Sequence, residues 1–364
     1  MIEVISIDDV PISCRGDQYE TLIFLDQAAM GVLTLLERHL ADETIKLNSH
    51  AGVTLVQVSG RVDTEKLLAP LKGQNEQLVI RVIEPVMPVL AMEQEQLPFN
   101  SCPEMLDYKA QASLSLWELA LRYESARGGI TETEVFEKMR EIAQVMRRAI
   151  DAGLAGTQYD DRILGWQSGK YKELMERGGL LDAGVLNAII LAVTATMESK
   201  SSMGLVVAAP TAGSCGVLPG TCLAAADFLG LAEDDAVKAL LAAGIIGVFI
   251  ARGATFSAEI GGCQAECGSA SGMSAAGLVT LAGGSPEQAI AAASMALQSS
   301  LGMICDPIAN RVEAPCLGKN TLAAANALTA ANMALAGFDP LIPFDEVVVV
   351  MDQVGRSLPH ALRC

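Results

Sequence analysis

The sequence predicts a mainly α-helical protein with a small α+β domain at its N-terminus, and three observations carry that expectation. Of the 364 residues, 51% are hydrophobic but only 4% aromatic. The core must therefore be filled by Ala, Val, Leu, Ile, Met and Gly, and the small members of that set permit close helix–helix approach. From about residue 105 onward apolar residues recur at spacings of three and four, with no β-type alternation competing. Before that point, short β-branched runs mix with amphipathic stretches.

Taken in order, residues 1–84 form the small α+β domain. Thr21 to Leu25, Val53 to Val58 and Gln77 to Ile83 read as strands; Ala28 to Leu40 and Thr64 to Ala69 read as helices, the second stopped by Pro70. Residues 85–104 hold Pro85, Pro88, Pro98 and Pro103 with acidic residues between them, and read as a linker. Residues 105–364 form the helical domain. Val135, Phe136, Met139, Ile142, Ala143, Met146 and Ile150 mark one helix face, and Thr131 with Glu134 has capping-box spacing at its start. Ser285-Pro286-Glu287-Gln288 is a second clear start. The Ala-rich segments 222–228, 236–251, 286–300 and 321–336 supply further helices. Three polar, Gly-containing segments interrupt them: Ser201 to Gly220, Ser257 to Gly272 and Cys305 to Asn320. These are expected as turns, able to present several backbone N–H groups to an anion.

Charge narrows the function. The chain has 25 Lys and Arg against 43 Asp and Glu, a net charge of −18, which disfavours nucleic acid and anionic membrane surfaces as partners. Mean hydropathy is positive, yet the strongest apolar run, Ala239 to Ala251, falls short of the roughly 20 residues a membrane span needs. The opening MIEVISIDDV is acidic and lacks the basic-then-apolar pattern of a secretory signal. Nine cysteines without such a signal suit a reducing cytoplasm, where clustered cysteines bind metal or do chemistry more often than they form disulfides. An Ala-rich helical body of this size is expected to form a homodimer.

Five cysteines lie in the last part of the chain: Cys263, Cys267, Cys305, Cys316 and Cys364. Their spacing is neither that of a zinc ribbon nor that of a ferredoxin. From spacing alone a metal site and a set of small buried hydrophobes both remain open. Three longer motifs go further. GCQAECGSASGMSAAGL at 262–278, GMICDPIANRVEAPC at 302–316 and APTAGSCGVLPG at 209–220 resemble the α-subunit motifs of iron–sulfur L-serine dehydratases, as does FDEVVVVMDQVGRSLPHALR at 344–363. The resemblance runs from about residue 105 to the end. It implies an L-serine ammonia-lyase with a [4Fe–4S] cluster on Cys263, Cys305 and Cys316, with Cys267 non-ligating and no pyridoxal phosphate. The open iron would bind the substrate carboxylate and β-hydroxyl as a Lewis acid. Thr211, Ala212, Gly213 and Ser214, with Ser201 and Ser202, are the candidates for holding the substrate carboxylate and amine; each hydroxyl is equally suited to capping a helix. Cys215, Cys222, Cys14 and Cys102 read as core or loop residues.

The chain departs from the family pattern in several places. Some members end in a cysteine that ligates the fourth iron until substrate displaces it; Cys364 is the candidate here, although it follows the SLP segment closely. The family's partner domain or β-subunit carries a Ser-Ser-Ser-His-Thr motif whose His is a plausible general base. Only Asn48-Ser49-His50-Ala51-Gly52, read as a turn, echoes it, which makes His50 the candidate catalytic base. Without it a Lys, a carboxylate or a separate β-subunit must serve. Lys200 stands where the family pattern has Asn, residues 163–170 read ILGWQSGK where a Gly-rich substrate loop is expected, and Asn310 replaces a Gly. Lys200 therefore joins the candidate substrate residues, as a cation for an extra acidic group. These changes keep two alternatives open: cluster-dependent β-elimination on another amino acid, such as cysteine or a longer β-hydroxy amino acid, and a non-catalytic iron–sulfur sensor.

Overall fold

The structure, a computed structural model, describes residues 3–4, 20–26, 45–50, 53–59, 78–83, 97–160, 162–306 and 313–363. The chain divides into two compact units, Met1–Glu93 and Gln94–Cys364. In the first, strands β1 (Glu3–Val4), β2 (Glu20–Asp26), β3 (Ile45–His50), β4 (Val53–Ser59) and β5 (Leu78–Ile83) form one sheet in the order β1-β5-β2-β4-β3. β2 runs antiparallel to both β4 and β5, β3 is antiparallel to β4, and β1 is parallel to β5. Thr21 and Ile23 lie opposite Val58 and Val56, and all four are buried, so alternate residues of this strand pair share one buried face. The three strands expected from sequence are present. β3 is an addition: the segment read as a turn is extended, and His50 ends it opposite Val53. The helices expected at 28–40 and 64–69 lie outside the described residues.

In the second unit the regular elements among the described residues are helical. They are α1 (Cys102–Ala112), α2 (Leu116–Gly128), α3 (Glu132–Ala155), α4 (Ser168–Glu176), α5 (Val185–Ser201), α6 (Ala224–Phe228), α7 (Glu233–Gly253), α8 (Ala258–Gly261), α9 (Ser269–Leu281), α10 (Pro286–Gln298), α11 (Glu313–Leu335) and α12 (Phe344–Ser357). Short 3₁₀ turns occupy Ala212–Ser214 and His360–Leu362, and π turns occupy Pro219–Leu223 and Gln264–Gly268. Both expected helix starts are built as capping boxes. The Thr131 hydroxyl accepts from the Glu134 amide while the Glu134 carboxylate accepts from the Thr131 amide, and Ser285 and Gln288 exchange the same pair.

α9 is the hub, packing against α7, α10 and α11, while α5 packs on α3 and α11. Its residues 269–279, almost all Ala, Gly and Ser, are buried on every side, so the helix presents no polar face to water. Small side chains let the neighbours close in. A Cβ built on Gly153 of α3 would lie 1.9 Å from the Ala195 carbonyl oxygen of α5, and one on Gly277 of α9 would lie 3.1 Å from the Ala239 carbonyl oxygen of α7. α7 is long and apolar enough to cross a membrane by length and composition, yet 67% of its apolar window is buried inside the unit.

Three expectations change. Ser257 to Gly272 is not a turn: α8, a π turn and the start of α9 carry nearly all of it, because its Gly and Ser residues serve close packing as well as flexibility. Cys316 and Asn320 likewise sit on α11 and not in a loop. Residues 97–104, placed in the linker by sequence, belong to the helical unit, where Phe99 is 1% exposed and packs on Tyr108, Tyr123 and Phe249.

The Gly153 contact gives a test of sign. Helix-interior Gly→Ala ordinarily stabilises by about 0.5–1 kcal/mol, and Gly244 of α7, with no atom within 4 Å of its ideal Cβ, should follow that rule. Gly153→Ala should instead destabilise by about 1–3 kcal/mol through overpacking. Urea midpoints of the two variants are expected to move in opposite directions.

Candidate functional site

Cys263, Cys305 and Cys316 come from three elements that side-chain hydrogen bonds tie together. Cys263 lies between α8 and the π turn, Cys305 in the irregular stretch 303–306, and Cys316 in the first turn of α11. Cys263 and Cys305 share a small buried cluster with Ala258 and Met303. Gly262 makes this approach possible, since it has φ +73° and a Cβ there would meet the Met303 carbonyl oxygen at 2.8 Å. Gln264, fully buried, accepts from the Gly302 amide at 2.9 Å and donates its side-chain amide to the Met351 carbonyl of α12 at 2.9 Å. Lys319 of α11 donates to the Ile304 carbonyl at 2.6 Å and to the Asp306 carboxylate, gripping both neighbours of Cys305. The Cys305 amide donates to the Leu362 carbonyl at 2.9 Å, so the C-terminal turn is docked beside the cysteines. Cys364 itself lies outside the described residues, as does Asn310.

The thiols differ in character. Cys267 hydrogen-bonds to Cys263, and together with Lys319 and Cys305 this lowers the Cys263 thiol to about 7 against the cost of burial. The same contact raises Cys267. Cys316 is buried in the same core as Cys267 and Cys215 and acts electrostatically on both. Burial pushes Cys215 and Cys222 up to about 12, the behaviour of small core hydrophobes. The described cysteines form no disulfide.

The loop at 211–214 lies against the cysteine segment. Thr211 and Ser214 form a capping box around the 3₁₀ turn. The Ser214 hydroxyl is fully buried, near Thr211 Oγ1 and the Ala209 carbonyl oxygen, so it builds the loop and does not face outward. Thr211 Oγ1 donates to Glu266 at 2.7 Å, and Gly213 lies directly against that carboxylate. Burial, with the charge of Glu259, raises the Glu266 carboxyl above its ordinary range, while Thr211, Lys200 and Lys319 oppose the rise. Asn320, fully buried one turn after Cys316, closes the arrangement. Its amide donates to the Gly213 carbonyl at 2.8 Å and the Cys316 carbonyl at 2.8 Å, approaches Cys267 Sγ at 3.7 Å, and accepts from the Gly216 amide at 3.1 Å.

Lys200, Ser201 and Ser202 stand at the C-terminal end of α5. Ser202 donates to the Ser199 carbonyl at 2.8 Å, capping its own helix, and Ser201 hydrogen-bonds to Tyr159. Tyr159 in turn donates to the buried Glu313 of α11, and burial followed by that contact pushes its phenol up to about 12. Glu313 also accepts from the Ile163 and Leu164 amides, and Glu198 of α5 accepts from the Gln167 amide and from the amide and hydroxyl of Ser168. Two buried carboxylates thus pin residues 159–168 between α5 and the cysteine-bearing helix. Trp166 covers the place of a Gly-rich loop, donating to the Gly153 carbonyl at 2.9 Å and lying against Gly169.

His50 is in the other unit, at the end of β3, and its side chain lies outside the described residues. Sequence reasoning missed Asn320, Glu313, Glu198, Tyr159 and Glu266. Of these Glu266 had a readable signal: with Glu259 it is one of the two charged residues in the small-residue stretch 258–281.

The chain is similar in sequence to known proteins over this unit. A family model described as "Serine dehydratase alpha chain" matches residues 111–364. The chain is 36% identical over 265 residues to the "Probable L-serine dehydratase, alpha chain" of Bacillus subtilis, covering 73% of this chain and 88% of that one. It is 37% identical over 266 residues to the "L-serine dehydratase, alpha chain" of Peptoniphilus asaccharolyticus, covering 72% and 91%. It is 32% identical over 268 residues to "L-serine dehydratase 1" of Escherichia coli, covering 72% of this chain and 59% of that one.

The Asn320 clamp generates its own test. Asn320→Ala leaves the Gly213 carbonyl and the Gly216 amide without their partner in a buried setting. At about 1–3 kcal/mol for each such group, the variant should lose on the order of 3 kcal/mol. Asn320→Asp, which keeps the acceptor and loses the donors, should fall between it and the parent in thermal midpoint.

Proposed function

This chain belongs to the serine dehydratase alpha chain family, and on that premise we propose that it is an L-serine ammonia-lyase. It removes the Cα proton and the β-hydroxyl of L-serine as water. The aminoacrylate so formed takes up water and releases pyruvate and ammonia. The observation that carries the reading is the meeting of Cys263 and Cys305 in one buried cluster close to the loop 211–214, with Cys316 buried one turn before the Asn320 that clasps this loop.

The same reading assigns a [4Fe–4S] cluster to Cys263, Cys305 and Cys316, and no pyridoxal phosphate. Among the described residues no three His, Cys, Asp or Glu side chains surround a single ion position. A multi-iron cluster makes a different demand, because each thiolate takes its own iron. Buried thiols in contact, one of them lowered to about 7, with Lys319 close by, have the donor chemistry it needs. Bound there, the cluster supplies a Lewis-acidic iron that polarises the substrate hydroxyl.

The chain's own residues do the rest. Gln264, Lys319 and Asn320 fix the three cysteine segments relative to one another. The backbone and hydroxyl of Thr211, with Ala212, Gly213 and Ser201, shape the pocket wall for the substrate's polar groups. Lys200 adds positive charge facing Glu266. Ser202 and Ser214 hold this frame from behind, through the helix cap and the capping box. Cys364 serves as a tail ligand, a role supported by the Cys305 amide holding Leu362 two residues before it. Proton removal falls to His50 of the first unit, or to a separate beta chain of the kind implied by the relatives' designation "alpha chain". A second reading, elimination from another β-substituted amino acid, is favoured by one feature: Trp166 stands where a Gly-rich substrate loop was expected.

Anaerobic reconstitution with iron and sulfide, followed by L-serine, should give brown absorbance and pyruvate. Ser in place of Cys263, Cys305 or Cys316 should cut bound iron and turnover on the order of 100-fold or more. Iron uptake with pyruvate from L-cysteine but not L-serine selects the second reading. Iron content and turnover unchanged in all three variants would falsify the assignment.

A further inference from the structure

We propose that Glu266 supplies the carboxylate that receives the α-ammonium group of the amino-acid substrate, an inference that rests on the reading above and deepens it. An amino acid whose carboxylate and hydroxyl are engaged elsewhere still brings a cation into the site, and a cation left without a partner in a buried place is costly. The site must therefore offer an anion with capacity to spare.

The carboxylates near the cysteines differ in this respect. Glu198 accepts from two amides and a hydroxyl, and Glu313 from two amides and a phenol. Asp306 is engaged by Lys319. Glu266 accepts one hydrogen bond among the described residues, from Thr211 to Oε1. A carboxylate has about four acceptor positions, so most of its capacity remains.

Its placement fits the role. From residue 261 to 279 every residue is buried except Glu266, which is half-buried. The side chain that breaks this run points at the loop 211–214, three residues along the chain from Cys263. Oε2 lies against Gly213, where a Cβ would come within 2.7 Å. Any larger residue at 213 would press directly on the carboxylate. Burial and the charge of Glu259 act against its ionisation, and Thr211, Lys200 and Lys319 act for it.

The test uses the full chain, reconstituted anaerobically, and compares two compounds. L-Serine carries carboxylate, hydroxyl and ammonium; 3-hydroxypropionate carries the first two only. For Glu266→Gln, KM for L-serine should rise about 10- to 150-fold, the range expected for loss of one hydrogen bond to a charged group. The inhibition constant of 3-hydroxypropionate, and its midpoint in a titration of the visible absorbance, should change less than about twofold. Gly213→Ala, which crowds Oε2 without removing it, should shift the two compounds in the same unequal way. Equal weakening of both compounds, or loss of bound iron in both variants, overturns the proposal and leaves the serine reading standing. A parent protein that binds iron and neither compound overturns both.

Discussion

The buried carboxamide of Asn320 joins parts of the chain that lie about a hundred residues apart. One side chain satisfies the Gly213 carbonyl, the Gly216 amide and the Cys316 carbonyl, and it touches Cys267. A loop that interrupts two helices would otherwise carry backbone groups with nowhere to go inside an apolar body, and each would cost free energy. Because the amide both donates and accepts, it can serve a carbonyl and an amide of the same loop at once. No apolar residue of that size could. The position of the loop 211–214 relative to Cys316 follows from that single satisfied group, and so does the close contact between Gly213 and Glu266.

Such a clamp works only if the helices beneath it do not shift. Here rigidity comes from close approach and owes little to bulk. Gly153 and Gly277 leave room for carbonyl oxygens of neighbouring helices, and α9 is buried all round by Ala, Gly and Ser. Small residues lose little side-chain entropy on burial, which offsets the modest apolar area each contributes. The same chemistry explains the apolar length of α7, a helix long enough to suggest a bilayer but packed against α2, α3 and α9.

How much of this was legible follows from the range of each signal. Caps are local, so Thr131 and Ser285 were readable from four residues each. The predominance of helix was readable from periodicity. β3 was not, because its apolar alternation stops after Ile45 and Leu47, and Asn48-Ser49-His50 look like a turn when met alone; only pairing with β4 makes them a strand. The segment 257–272 misled for the opposite reason. Gly and Ser mark turns when exposed and close packing when buried, and sequence does not say which. The cysteine motifs were legible through resemblance, whereas their spacing alone left two readings open. Asn320 was invisible, since its value depends on Gly213 and Gly216 arriving from more than a hundred residues upstream.

The carboxylates show why burial alone does not mark function. Glu198, Glu313 and Glu266 all lie near the candidate site, and a search for buried acids would rank them together. What separates them is saturation. Glu198 and Glu313 are surrounded by amides and hydroxyls of one loop, so their charge is consumed in holding residues 159–168 in place. Glu266 receives one hydroxyl and faces a glycine, beside a thiol that its surroundings hold near ionisation. A structural carboxylate completes its hydrogen bonds within the fold; a carboxylate meant for a ligand must leave some of them undone. The unequal demand of a zwitterionic substrate, anion at one end and cation at the other, then matches the unequal lining proposed for the site, which holds both lysines and a half-satisfied glutamate.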